Sequence, residues 1–230
     1  MEVALVTVGD ELLAGDTVNT NAAWLGRRLA DRGASVERVV VVPDSVGEIA
    51  REVNELRAAY DAVIVTGGLG PTHDDMTMEA VAAAVGVSVE EHPDAVEWIA
   101  DNTDYSRADL VEGTTHLPAG SRLLPNEAGV APGCAVENVY VLPGVPDEME
   151  AMFERIEDEF AGAYRHVAVV EADEPESALV ERLATLRDRF DVTVGSYPGD
   201  HVRVKLQSTD EAELDAAAAW LRERVETPQR

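Results

Sequence analysis

Four short segments of the chain gather the residue types that phosphate chemistry uses. The first is Gly9-Asp10-Glu11-Leu12-Leu13-Ala14-Gly15, with Asn19-Thr20-Asn21 just after it. The second is Thr66-Gly67-Gly68-Leu69-Gly70-Pro71-Thr72-His73-Asp74-Asp75-Met76-Thr77. The third is Asn126-Glu127-Ala128-Gly129-Val130-Ala131-Pro132-Gly133, and the fourth Leu142-Pro143-Gly144-Val145-Pro146-Asp147-Glu148-Met149. Glycines in such loops let backbone N–H groups come close to a ligand. Amides at a helix start make a ready anion site. The turn at residues 67–70 leads into a helix expected near Thr77, so it can hold a phosphate without lysine. It is neither a Walker loop, which needs Gly-Lys-Ser/Thr, nor the dinucleotide fingerprint.

Asp10, Glu11, Asp74 and Asp75 bring four carboxylates to these loops. Gathered like charges need a cation, a shared proton or water to relieve them. Magnesium suits the pattern, because it takes carboxylate and substrate phosphate together and keeps waters. The plainer alternative for Asp10 and Asp74 is capping of turns and helices. Glu148 and Glu150 fall in the first turn of an expected helix, where the dipole explains them. Asn19 and Asn21 flank another helix start, so capping and ligand binding are both open. His73 lies inside the second segment. The other histidines show no metal-ligand spacing.

Parallel-sheet architecture is what would bring these loops together. Residues 3–8, 36–42, 62–66 and 139–142 are continuous apolar runs, the mark of strands buried on both faces. Helical spacing over 20–32, 46–60, 77–86, 93–102 and 146–160 alternates with them. Short strands are expected at 114–118 and 122–124. The fold class expected is α/β, a three-layer parallel-sheet domain over residues 1–162. In such a sheet the loops at the carboxyl ends of the strands form the ligand crevice. From 163 to 230 the order changes to βαββα, with a hairpin across Pro198-Gly199-Asp200, which predicts a small α+β domain.

Charge excludes whole classes of partner. Lys+Arg is 18 against Asp+Glu 45, a net −27, and Lys205 is the one lysine. That field repels nucleic acid and anionic membranes, so no nucleic-acid and no membrane partner is expected. The acids are scattered, as on the solvated surfaces associated with halophiles. Self-repulsion of this size is screened by salt. The melting temperature is therefore expected to rise between low and molar salt; a scanning-calorimetry series showing no change would refute the reading. Cys134 is the single cysteine, so it forms no intrachain disulfide and no cysteine-based zinc cluster. The start of the chain has no basic n-region and no apolar run approaches membrane-span length, so a cytoplasmic protein is expected.

Gly-Asp-Glu-Leu with Asn-Thr-Asn, Thr-Gly-Gly-Leu-Gly-Pro-Thr with Asp-Asp, Asn-x-x-Gly-x-Ala-Pro-Gly and Leu-Pro-Gly-Val-Pro-x-Glu-Met occur here in one order. Together they resemble the CinA (competence/damage-inducible) family over roughly residues 1–160, whose fold is that of the molybdopterin-binding MogA, MoaB and MoeA families. Glu176-Ser177 and Gly195-Ser196-Tyr197-Pro198 resemble the small KH-like domain of CinA relatives. The resemblance implies a pocket for molybdopterin or a similar phosphorylated heterocycle, a pterin or a nucleotide, with Asp10 and Asp74 or Asp75 at the reacting phosphate and holding a divalent metal (Mg, Mn or Co). It makes Gly67, Gly68 and Gly70 the phosphate cradle. Gly9, Glu11, Asn21, Thr66, Pro71, Thr72 and Gly144 complete the expected ligand set.

In CinA relatives the domain is associated with divalent-metal-dependent ADP-ribose pyrophosphatase activity, and a related domain in eukaryotic FAD synthases hydrolyses FAD. Three functions stay open at this level: a nucleotide-diphosphate hydrolase, adenylyl transfer to molybdopterin, and a non-catalytic binding module. The deamidase domain of full-length bacterial CinA has no counterpart in these residues, so that activity is not expected. The KH-like shape could suggest RNA, but the charge and the lack of a Gly-x-x-Gly loop there oppose it. A homo-oligomer, with the small domain in its assembly, is the expectation.

Overall fold

The computed structural model describes residues 1–70, 76–102, 113–162 and 165–228. The chain divides into two compact units, Met1–Gly162 and Ala163–Arg230.

Strand β1 (Glu2–Val8) leads through a short helix α1 (Asp10–Ala14) to α2 (Thr20–Asp31). Next come β2 (Ser35–Val42), α3 (Val46–Ala59), β3 (Ala62–Thr66) and α4 (Thr77–Val85). A two-stranded pair, β4 (Val89–Glu91) and β5 (His116–Pro118), flanks α5 (Pro93–Asn102). Then follow β6 (Arg122–Leu124), β7 (Gly133–Val136), β8 (Val139–Leu142) and α6 (Pro146–Glu154). The central sheet has the order β2-β1-β3-β8-β7-β6.

Alternation along the strands builds the three layers. Ala4, Val6 and Val8 of β1 and Val63 and Val65 of β3 face Ile49, Val53 and Leu56 of α3 and Ala80, Val81 and Ala84 of α4. Val3, Leu5 and Ile64 point the other way, onto Leu25 and Leu29 of α2 and Met149, Met152 and Phe153 of α6. Strands β1 and β3 are buried on both sides, which is why they read as unbroken apolar runs, whereas β2, at the sheet edge, exposes Glu37, Arg38 and Val39 where burial on both faces is expected from the sequence.

The expected α/β class holds, with two differences of detail. The sheet is mixed: β1, β2, β3 and β8 run parallel, but β7 pairs antiparallel with β8 and β6 antiparallel with β7. A hairpin needs no crossover helix, and the tight turn at Glu137-Asn138 permits it; Glu137 takes a left-handed φ of 51°. Helix 146–160 is also not continuous. It ends at Glu154, and a 3₁₀ turn covers Glu157–Phe160. That turn brings the Glu157 carboxylate to Arg28 at 2.6 Å and to Arg32, tying it to α2.

In the second unit β9 (His166–Ala172), α7 (Glu176–Arg189), β10 (Thr193–Tyr197), β11 (Val202–Ser208) and α8 (Glu211–Arg222) give the expected βαββα order. The sheet is antiparallel, ordered β10-β11-β9. Its core joins Val204 and Leu206 to Leu179, Leu183, Leu186 and Leu214. Arg203 and Lys205 alternate with that apolar set on the other face.

Candidate functional site

The carboxyl ends of β1, β3 and β8 lie side by side, because Thr7 pairs with Thr66 and Thr66 with Leu142. The loops leaving them converge. Gly67 donates its N–H to the Leu142 carbonyl at 3.2 Å. A side chain at Gly144 would meet the Gly67 Cα at 3.2 Å, and one at Gly67 would run into the carbonyl oxygen of Val8. Gly67 and Gly68 have φ of 101° and 66°, a region in which a side chain is strained. Thr77, fully buried at the start of α4, fastens this turn from beneath: its hydroxyl donates to the Gly67 carbonyl at 2.8 Å and its N–H to that of Gly68 at 3.2 Å.

A small open pocket of about 90 Å³ lies beside these strand ends. Thr7, Glu11, Asn19, Asn21, Thr66 and Gly144 are in its wall. Asn19 caps α2, accepting from the Ala22 N–H at 3.1 Å, and its amide donates to the Thr7 hydroxyl at 2.9 Å. Asn21 donates to the Gly144 carbonyl at 2.8 Å, while its Oδ1 is buried with no partner among the described residues. Thus of the two asparagines at this helix start, one is spent on capping and the other joins the β1 loop to the β8 loop.

The expected ligand set is distributed unevenly. Glu11, Asn21, Thr66 and Gly144 are in the pocket wall. Gly9 lies under the Glu11 carboxylate, which occupies the space a side chain there would need. Gly67 and Gly68 form the adjoining turn, but the Gly67 N–H is spent on Leu142, so Gly67 contributes close approach rather than a donor. Gly70 is exposed beyond them. Asp10 is exposed, and its backbone N–H donates to the Asp44 carboxylate at 2.9 Å; it is not a wall residue of the pocket. Pro71, Thr72, His73, Asp74 and Asp75 lie outside the described residues.

Leu12, Thr17 and Val18 also line the pocket, and no sequence signal singled them out. The third segment is fastened to the fourth. Asn126 is buried and donates to the Ala131 carbonyl at 2.9 Å and to Glu148 at 2.7 Å. Glu148 therefore does more than offset a helix dipole: it holds the loop whose Gly129 passes directly beneath its carboxyl group.

Among the described residues no group of three or more His, Cys, Asp or Glu side chains converges. The donors at the pocket are oxygens, from Glu11 and the threonine hydroxyls, a set that suits a hard divalent cation completed by ligand phosphate and water. Burial pushes the Cys134 thiol up to about 12, so it stays protonated and is no nucleophile. No helix among the described residues is long and apolar enough to cross a membrane.

Comparison with known proteins accords with this geometry. Residues 4–161 match the family model described as a probable molybdopterin binding domain, and residues 165–228 match one described as the FAD synthase middle domain. A protein of Archaeoglobus fulgidus is 38% identical over 97% of both chains. A CinA-like protein of Salinibacter ruber is 39% identical over 98% of this chain, which spans 60% of that relative's length. The crystal structure of CinA from Thermoplasma acidophilum, a protein of unknown function, is 38% identical with a TM-score of 0.63, over 69% of this chain and 97% of that one. The chain belongs to the family of probable molybdopterin binding domains and is a relative of CinA.

Proposed function

We propose that this chain binds a phosphorylated pterin or nucleotide at the strand-end pocket and hydrolyses a nucleotide diphosphate of the ADP-ribose type with the help of a divalent cation. The observation that carries the reading is the meeting, at one end of the sheet, of the Glu11 carboxylate and a glycine turn too tight for side chains. A diphosphate laid along residues 68–70 meets backbone rather than side chains, close to the start of α4 and its positive dipole end. Glu11 stands beside it as an acceptor that can orient a water. Asp10, Asp74 and Asp75 are further carboxylates proposed for the same edge. A divalent cation held there supplies neutralisation of the phosphate charge and a lowered pKa for bound water.

Purified protein at molar salt, offered ADP-ribose, FAD, NAD and ATP separately with magnesium, manganese or cobalt, is expected to cleave one diphosphate only when metal is present. Glu11→Gln and Asp10→Asn should each lower kcat by about 10²-fold, as loss of a group that orients the attacking water or holds the cation does. Full rate and full metal dependence in both variants would sink the hydrolase. Pyrophosphate release from ATP only in the presence of pterin would replace it with adenylyl transfer. Tight binding without turnover would leave a ligand-binding module.

A further inference from the structure

We propose that Asn21 is a specificity residue, and that it accepts a hydrogen bond from an uncharged donor of the ligand, a sugar hydroxyl or a ring amino group, and not from its phosphate side. The inference rests on the preceding reading that this pocket holds the ligand. Two neighbouring polar groups of the pocket wall are fully engaged. The Thr7 hydroxyl donates to the Val40 carbonyl at 3.3 Å and accepts from Asn19. The other end of the Asn19 amide is taken by the Ala22 N–H. Asn21 differs, since only its nitrogen is engaged, at 2.8 Å from the Gly144 carbonyl, and its Oδ1 is buried without a partner among the described residues.

That bond also fixes which end of the amide faces which way. Flipping the group would set Oδ1 against the Gly144 carbonyl, two acceptors with no proton between them. Asn21 therefore presents an acceptor alone. The wall beside it adds the Glu11 carboxylate and, among the described residues, contains no arginine or lysine. A phosphate oxygen placed here would face acceptors and negative charge. A hydroxyl or N–H would meet an acceptor already stripped of water, and a buried acceptor left unpaired is costly. The ligand is thus oriented by chemistry, with its ring or sugar at Asn21 and Glu11 and its phosphates toward the turn at residues 68–70.

Titration calorimetry at molar salt with three probes tests this: adenosine, pterin, and inorganic pyrophosphate with magnesium. Asn21→Leu, close in volume but without polar atoms, is expected to weaken adenosine or pterin by at least about tenfold and to leave pyrophosphate unchanged. Equal weakening of all probes would reduce Asn21 to a tie between loops and overturn the proposal. On the unaltered protein, 2′,3′-dideoxyadenosine should bind at least about tenfold more weakly than adenosine if the donors are sugar hydroxyls. Lumazine, which lacks the amino group, should fall similarly below pterin if they are on the ring. Neither analogue losing affinity overturns the inference even if the variant fails to fold. Pyrophosphate binding with no binding of either uncharged probe also overturns it, with the functional reading left standing; binding of none of the three removes both.

Discussion

Gly67→Ala is expected to destabilise the first unit by about 2–6 kcal/mol and to abolish ligand binding. Two costs add. At φ 101° an alanine pays the strain of a sparsely populated backbone region, about 1–3 kcal/mol. Its Cβ also collides with the backbone carbonyl of Val8, a contact no rotamer change can relieve, which is worth about a further 1–3 kcal/mol. Val8 belongs to β1 and is held in register against Val42 of β2, so relief must come from the turn. Gly47→Ala makes the comparison: in α3, with nothing in reach of an added Cβ, it should be neutral or slightly stabilising. Urea unfolding of both variants reads the difference, and a wild-type midpoint for Gly67→Ala would show that the turn is not built this way.

Phe153→Ala should cost about 3–5 kcal/mol. Phe153 is fully buried on α6, stacked on Phe160 at 5.3 Å and edge-on to Trp24 at 5.7 Å. The cavity would open between α2 and α6, the two helices whose first turns carry Asn21 and Glu148. Loss of packing there reaches the pocket through the Gly144 loop. Trp24 provides the readout, since its fluorescence reports this cluster directly. An unfolding midpoint within error of wild type would mean that the aromatic cluster does not hold α6 in place.

What the sequence made legible follows from the strength of each local signal. The strands β1, β3 and β8 were plain because burial on both faces leaves no polar residue to interrupt them. Strand β7 was not, because Gly133-Cys134-Ala135-Val136 is short and its turn lacks the Asn-Gly signature of a hairpin. The break after α6 was hidden because Met152, Phe153, Ile156 and Phe160 keep a nearly helical spacing through the 3₁₀ turn. At the site, segment order located the loops, but one-residue distinctions escaped. Asp10 and Glu11 read alike as letters; only the path of α1 sends Glu11 to the pocket and leaves Asp10 exposed. Capping by Asn19 and loop-joining by Asn21 likewise depend on where Thr7 and Gly144 come to rest in space.

The reciprocal pair between Glu2 and Asp61, in which the Glu2 N–H reaches the Asp61 carboxylate at 2.7 Å and the Asp61 N–H the Glu2 carbonyl at 3.0 Å, has a practical consequence. It pins the start of β1 at the sheet end opposite the pocket. Seven residues of extended strand, about 23 Å, separate the two. An affinity handle or fluorophore attached ahead of Met1 therefore emerges away from the ligand loops. The protein can be immobilised or labelled at that point while its binding surface stays open to solution.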